Sequence, residues 1–185
     1  MRLPWRTSRR PSPRRLRNDV REFVLAGGAT PAGAWVRHRE LLPALVTYLR
    51  TGRRFRREGL AAALRLVPPP RGSRSDIEPD VAAAFCARSA ASRILGLARS
   101  LAGRHLCLHE SVAITAALRR LGFRVQVIVG YPVIEPANGE EELHAWPQLG
   151  AFAVIDRLGS APLNFVELAR YPEEDMAART PAMSR

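Results

Sequence analysis

The sequence predicts an α+β fold in which a helix that carries a cysteine packs on a small antiparallel sheet. Residues 106–121 have apolar side chains at helical intervals, and residues 123–129 have the pattern of a strand. Two further short strands are predicted at 143–146 and 151–156, joined around Gly150. With 185 residues, of which 46% are hydrophobic and 25% charged, the chain is long enough for one core with an appended segment.

Changes in composition divide the chain into three parts. Residues 1–18 are rich in Arg and Pro and predict a disordered basic tail. Residues 19–72 form an N-terminal helical segment. The stretch Val67–Pro79 is rich in Pro, Gly and Ser and cannot continue a helix. The remaining part, residues 73–185, therefore contains the cysteine helix and the sheet.

Three helices are predicted before the cysteine helix. Residues 35–50 and 55–66 have amphipathic patterns. Residues 80–101 form a third helix that is expected to pack behind the cysteine helix. Cys86 lies within it among Ala, Ile and Leu residues, and is interpreted as a buried core residue.

Cys107 lies in the first turn of its predicted helix, which Gly122 ends. The unpaired backbone N–H groups of a first turn, and the positive end of the helix dipole, favour the thiolate that acts as a nucleophile. The strand at 123–129 follows, and Gly130 and Pro132 are expected to break it.

His144 and Asp156 follow on the two short strands. A hairpin centred on Gly150 places these two residues directly opposite each other, with Cβ atoms about 4.5–5.5 Å apart. The carboxylate then orients the imidazole, whose other nitrogen addresses the Cys107 thiol. Pro147 cannot donate to a ladder and indicates an edge strand or a bulge at that position.

Each of these residues also has an interpretation without catalysis. Cys107 can be a small core residue, and His144 can be a histidine at the edge of the core that bonds to the backbone. Asp156 can be a turn residue that caps Arg157 to Gly159. The ordered occurrence of all three favours a nucleophile, a base and an orienting partner.

At these residues the chain resembles the transglutaminase-like Cys-His-Asp superfamily, with its papain-like core, and within it the stand-alone leader peptidases of lasso-peptide biosynthesis. The matching stretches are HLCLHESVAITAALRRLGFRVQVIVG at 105–130, HAW at 144–146 and AFAVID at 151–156. Two positions depart from the family pattern. Glu110 stands where the family usually has a basic residue, and Pro147 stands where it usually has an apolar one.

The resemblance implies a cysteine peptidase that hydrolyses the leader from a ribosomally made precursor peptide, with Cys107 as nucleophile, His144 as general base and Asp156 as its orienting partner. It also implies two partners, a separate leader-recognition protein and an ATP-dependent cyclase. No cofactor is expected. An acyltransferase using the same triad remains an alternative, because the sequence does not separate water from an amine as the acceptor.

His105 and His109 flank Cys107 and raise the question of a metal site. Together with Cys107 and His144 they do not form one of the standard zinc arrangements, so no metal is expected. His109 and Glu110 are instead expected to be exposed residues of the first helical turn.

A net charge of +12 would ordinarily indicate nucleic-acid binding, and Arg residues cluster at 2–21 and 50–57. However, all 29 basic residues are Arg and none is Lys, and few aromatic residues lie near the clusters. Nucleic-acid binding is therefore kept only as an alternative for the first 60 residues. Two cysteines, no signal-peptide pattern and no apolar run of membrane-span length predict a cytoplasmic protein without membrane attachment.

Overall fold

The computed structural model describes residues 13–25, 35–70, 74, 80–103, 106–133, 143–155 and 165–173. Within these residues it contains five helices and one four-stranded antiparallel sheet, which confirms the predicted α+β class. The helices are α1 (Pro13–Leu25), α2 (His38–Glu58), α3 (Leu60–Leu64), α4 (Asp80–Ala102) and α5 (Cys107–Arg120). The strands are β1 (Val125–Pro132), β2 (His144–Leu149), β3 (Phe152–Ala153) and β4 (Phe165–Tyr171).

Helix α5 begins at Cys107, as the sequence predicted. It ends in a pair of backbone hydrogen bonds: the N–H of Gly122 donates to Arg119 O at 3.0 Å, and that of Phe123 donates to Leu118 O at 3.1 Å. This arrangement needs a residue with positive φ just after the helix, and Gly122 has a φ of +96°. The chain therefore reverses at once and enters β1 alongside its own helix.

Helices α2, α4 and α5 share the main hydrophobic core with the start of β1. Cys86 is 3% exposed on α4, which confirms its interpretation as a core residue. The helices on both sides of residue 72 contribute to this core, so the two predicted segments pack together. Helix α1 begins at Pro13, so residues 13–18 are helical and not part of a disordered tail, while residues 1–12 lie outside the described residues.

The sheet has the strand order β3-β2-β1-β4. Along β1, Val125 and Val127 pack with the helices, whereas Ile128 packs with Trp146 and Phe165 in a separate cluster. This alternation is the two-residue period of a strand that is covered on both faces. The expectation that Gly130 and Pro132 break β1 is wrong, because β1 continues through Pro132 at the end of its pairing with β4.

The predicted hairpin register is wrong by one residue. Leu149 pairs with Phe152 and Gln148 with Ala153, so Gly150 and Ala151 together form a two-residue turn, and Gly150 has a φ of +58°. Within the described part of the chain this pairing does not reach His144, and in the observed register Asp156 would face Ala145 and not His144. Pro147 lies where the described pairing becomes one-sided. Val154 N–H donates to Pro147 O at 2.8 Å, and Pro147 has no N–H to return the bond.

Residues Val81–Ala102 of helix α4 are long enough to cross a membrane, and an 18-residue window within them has a mean hydropathy of 1.3. Their most apolar window is 61% buried inside the fold. The core helix of a soluble protein passes the same test, and α4 packs against α5 and α2 in the main hydrophobic core.

Candidate active site

Cys107 and His144 line the same pocket, although 36 residues separate them in the chain. Cys107 opens α5 and His144 opens β2. Both are partly exposed, so both side chains are accessible from the pocket. The other residues that line it are Leu95, Glu110, Ser111, Ile114, Ala145, Pro147 and Ile155. The fold thus brings together the predicted nucleophile and the predicted base.

Two side chains of α5 bond to the backbone of the chain on either side of His144. The Cys107 Sγ lies 3.7 Å from the carbonyl oxygen of Leu143, to which the thiol donates. One turn further along, Ser111 Oγ donates to Ala145 O at 2.8 Å. Hydrogen bonds therefore join helix α5 to the residue before His144 and to the residue after it.

The His144 ring lies among aromatic side chains. Its centroid is 5.9 Å from that of Trp146, at an interplanar angle of 22°, and 5.3 Å from that of Phe165. The indole of Trp146 is fixed in turn, because Nε1 donates to Gln148 Oε1 at 3.0 Å. Gly130, the β1 partner of His144, leaves space for this cluster: a Cβ there would lie 2.8 Å from Trp146 Cη2.

Glu110 is buried beside the pocket, with 4% exposure. The expectation that it is exposed is therefore wrong. The guanidinium of Arg99 on α4 forms two hydrogen bonds to its carboxylate, at 2.7 Å from Nη2 and 3.4 Å from Nε. An ion pair with this fork geometry makes burial of a carboxylate tolerable. The first-turn position of Glu110 suits the helix dipole, but its contact with α4 removes it from solvent.

His109 is also buried, at 4% exposure, and the expectation that it is exposed is wrong. Its Nε2 lies 2.8 Å from Gly52 O on α2, and its ring makes an edge contact with Phe55. Burial lowers the pKa of His109, the positive charge of Arg56 acts in the same direction, and the bond to Gly52 O opposes them. His109 therefore packs α5 against α2, and it is not among the residues that line the pocket.

Asp156 and His105 lie outside the described residues. The chain is described up to Ile155, which lines the pocket with Cys107 and His144. Arg88 on α4 holds the backbone just before that point, since its Nη2 donates to Ala153 O at 2.9 Å and its Nε to Val154 O at 3.3 Å. The role of Asp156 as the orienting carboxylate stays a prediction.

Sequence reasoning missed Ser111, Arg99 and the aromatic neighbours of His144. Ser111 had a signal, because residues four apart share one face of a helix and Ser111 follows Cys107 at that spacing. Arg99 and Phe165 had none, since their contacts join separate elements. Among the described residues no group of three or more His, Cys, Asp or Glu side chains is placed to hold a metal ion.

Comparison with known proteins gives one match. A family model described as the Transglutaminase-like superfamily matches residues 44–170, more than half of the chain, and this range contains Cys107, His144 and Asp156. No curated protein and no solved structure matches.

Proposed function

Since the chain belongs to the transglutaminase-like superfamily, whose members are typically Cys-His-Asp peptidases or acyltransferases, we propose that it is a cysteine peptidase with Cys107, His144 and Asp156 as its catalytic residues. The observation that carries this proposal is the shared pocket of Cys107 and His144. A histidine next to an accessible thiol at a helix start is the arrangement that activates sulfur for attack on a carbonyl.

The reaction follows from these groups. The Cys107 thiolate attacks the carbonyl carbon of the scissile peptide bond, a C–S bond forms, and the electron pair of the carbonyl moves to oxygen. The imidazolium of His144 then protonates the leaving amine as the C–N bond breaks, which leaves an acyl-enzyme. His144 next takes a proton from water, whose oxygen attacks the thioester, and the C–S bond breaks to release a carboxylic acid and the thiolate.

The start of α5 is suited to stabilise the oxyanion of both steps. Leu106, the residue that precedes the helix, makes no side-chain cap, and an α-helix cannot pair the first N–H groups internally. Backbone N–H groups at a helix start favour a negative charge, and here the attacking sulfur belongs to the first residue of the helix. The attacking sulfur and the negative charge that develops on the substrate oxygen therefore both lie at the N-terminal end of α5.

The substrate we propose is a ribosomally made precursor peptide, from which the enzyme removes the leader during lasso-peptide maturation in the cytoplasm. The residue patterns around Cys107, His144 and Asp156, which resemble those of the leader peptidases, support this assignment. A separate leader-recognition protein presents the precursor, and an ATP-dependent cyclase acts after cleavage.

The test begins with the genes that neighbour the one for this chain. We expect a short precursor peptide beside an asparagine-synthetase-like cyclase. The full-length protein is then incubated with that precursor and with the leader-recognition protein, and the products are identified by mass spectrometry. Cleavage that adds the mass of water supports a peptidase, whereas transfer of the peptide to an added amine identifies an acyltransferase.

Two cysteine variants form a matched pair in this assay. Cys107→Ala is expected to abolish cleavage, because it removes the nucleophile and little volume. Cys86→Ala is expected to keep cleavage, because Cys86 lies in the core on α4, away from the pocket lining. Full activity of the Cys107→Ala variant, with a normal unfolding temperature, would refute the assignment.

A further inference from the structure

One edge of strand β2 pairs with β3 at one end and contacts helix α5 at the other end. In an extended strand, the carbonyl groups of every second residue point to the same side. Pro147 O accepts a hydrogen bond from Val154 N–H, which is the last bond on the β3 side among the residues that the structure describes. The next two carbonyls along that edge belong to Ala145 and Leu143, and they accept from Ser111 and Cys107 of α5.

The spacings of the two elements explain why one helix reaches both carbonyls. Residues four apart on a helix are separated by about 6 Å along its axis. Residues two apart on a strand are separated by about 6.6 Å. Cys107 and Ser111 are four apart, and Leu143 and Ala145 are two apart, so the two side chains match the two carbonyls. This match fixes the position of α5 along β2 at the point where His144 begins the strand.

Only one of the two contacts can persist through the proposed reaction. The thiol of Cys107 ceases to be a donor when it loses its proton to act as nucleophile. The hydroxyl of Ser111 keeps its proton, and its bond to Ala145 O is short at 2.8 Å and buried. A helical serine commonly bonds to its own helix four residues back, but here the hydroxyl is used between elements.

We infer that Ser111 is a positioning residue that holds Cys107 and His144 in register by fastening α5 to β2 at Ala145. This inference rests on the proposed function, because it assigns Ser111 a purpose only if Cys107 and His144 act as a pair. Ser111 acts through the backbone next to His144, by its hydrogen bond to Ala145 O.

The test measures how strongly the reactivity of Cys107 depends on His144, with iodoacetamide as the probe. The rate of alkylation at Cys107 is followed by peptide mass spectrometry in the full-length protein and in its His144→Ala variant, and the ratio of the two rates is the dependence. The same ratio is then measured in a Ser111→Ala background. Taking the ratio cancels any change in the exposure of the thiol that the background causes.

Thr115→Val is the matched control background. Thr115 lies one turn beyond Ser111 on α5, and its buried hydroxyl has no hydrogen-bond partner within the described part of the chain. We expect the ratio to fall by about fivefold to tenfold with Ser111→Ala, as loss of one buried hydrogen bond implies, and to stay unchanged with Thr115→Val. Ser111→Thr, which keeps the hydroxyl, should keep the ratio of the unmodified protein.

The outcomes separate this inference from the proposed function. Suppose that Cys107 is alkylated faster in the unmodified protein than in His144→Ala, and that the Ser111→Ala background gives the same ratio of rates as the unmodified background. The Cys-His pair then stands, and the role of Ser111 is refuted. An equal fall with Thr115→Val also refutes it, since any lost hydroxyl on α5 would then suffice. If His144→Ala has no effect even in the unmodified protein, the pair itself fails and both proposals fall.

Discussion

Gly130 offers a sharp test of how the aromatic cluster holds the site. It pairs with His144 across β1 and β2, and a Cβ at this position would lie 2.8 and 2.9 Å from two ring carbons of Trp146, and 3.1 Å from Phe165 Cβ. The indole is not free to move away, because it is 3% exposed and its Nε1 donates to Gln148. Gly130→Ala should therefore shift the ring that stacks on His144.

The size of the effect can be estimated from two opposing terms. Replacing Gly by Ala where the backbone tolerates it stabilises a protein by about 0.4–1 kcal/mol, because the unfolded chain loses freedom. Inserting a methyl group into a packed site costs about 1–3 kcal/mol. With contacts below 3.0 Å to a fixed ring, the second term wins, and we expect a net loss of about 1–2 kcal/mol.

Urea unfolding followed by circular dichroism measures this loss, and alkylation of Cys107 by iodoacetamide reports on the site. Gly96→Ala on α4 is the matched control, because a Cβ there meets no atom within 4 Å. That variant should be stabilised by up to about 1 kcal/mol, through helix propensity. If Gly130→Ala proves as stable as Gly96→Ala, the proposed overlap with Trp146 is refuted.

Two further predictions concern the buried polar residues of α5. Arg99→Ala should lower the free energy of unfolding by about 1.5–3 kcal/mol in urea titrations, because it breaks a charged hydrogen-bonded pair with buried Glu110. Arg54→Ala, which breaks an exposed pair with Glu58, should cost less than about 1 kcal/mol, and equal losses would contradict this reasoning. Burial lowers the pKa of His109 below its ordinary value of 6.5, so the unfolded chain binds a proton at a higher pH than the folded protein does. The contribution of neutral His109 to stability is therefore full above pH 6.5. It is lost as the pH falls from 6.5 through the lower pKa of the folded state. Thermal unfolding against pH should therefore show a shallower decline for His109→Gln than for the unmodified protein, and parallel curves would count against this assignment.

The sequence was sufficient to predict those elements whose pattern is local. The apolar period of α5, its start at Cys107 and its end before Gly122 are all encoded within that segment, and the structure has them. The burial of Cys86 followed from the composition of α4 in the same way. These predictions needed no knowledge of what packs against each helix.

The predictions that failed depended on contacts between elements. His109 and Glu110 look like solvent-facing residues of a first turn, and only α2 and α4, which supply Gly52 O and Arg99, make their burial possible. The hairpin register depended on whether Gly150 alone or Gly150 with Ala151 forms the turn, and both fit the sequence. Tertiary packing decides such choices, and local pattern does not.

Pro147 lies in β2 and lines the pocket of the candidate active site. Within the sequence it argued against a regular strand beside His144, and it does end the pairing with β3. Strand β3 ends at Ala153, and among the described residues the carbonyls of Ala145 and Leu143 accept from side chains of α5. These bonds to Ser111 and Cys107 place the start of α5 against the start of β2. The candidate nucleophile is therefore held by the same edge of β2 that pairs with β3 on the other side of Pro147.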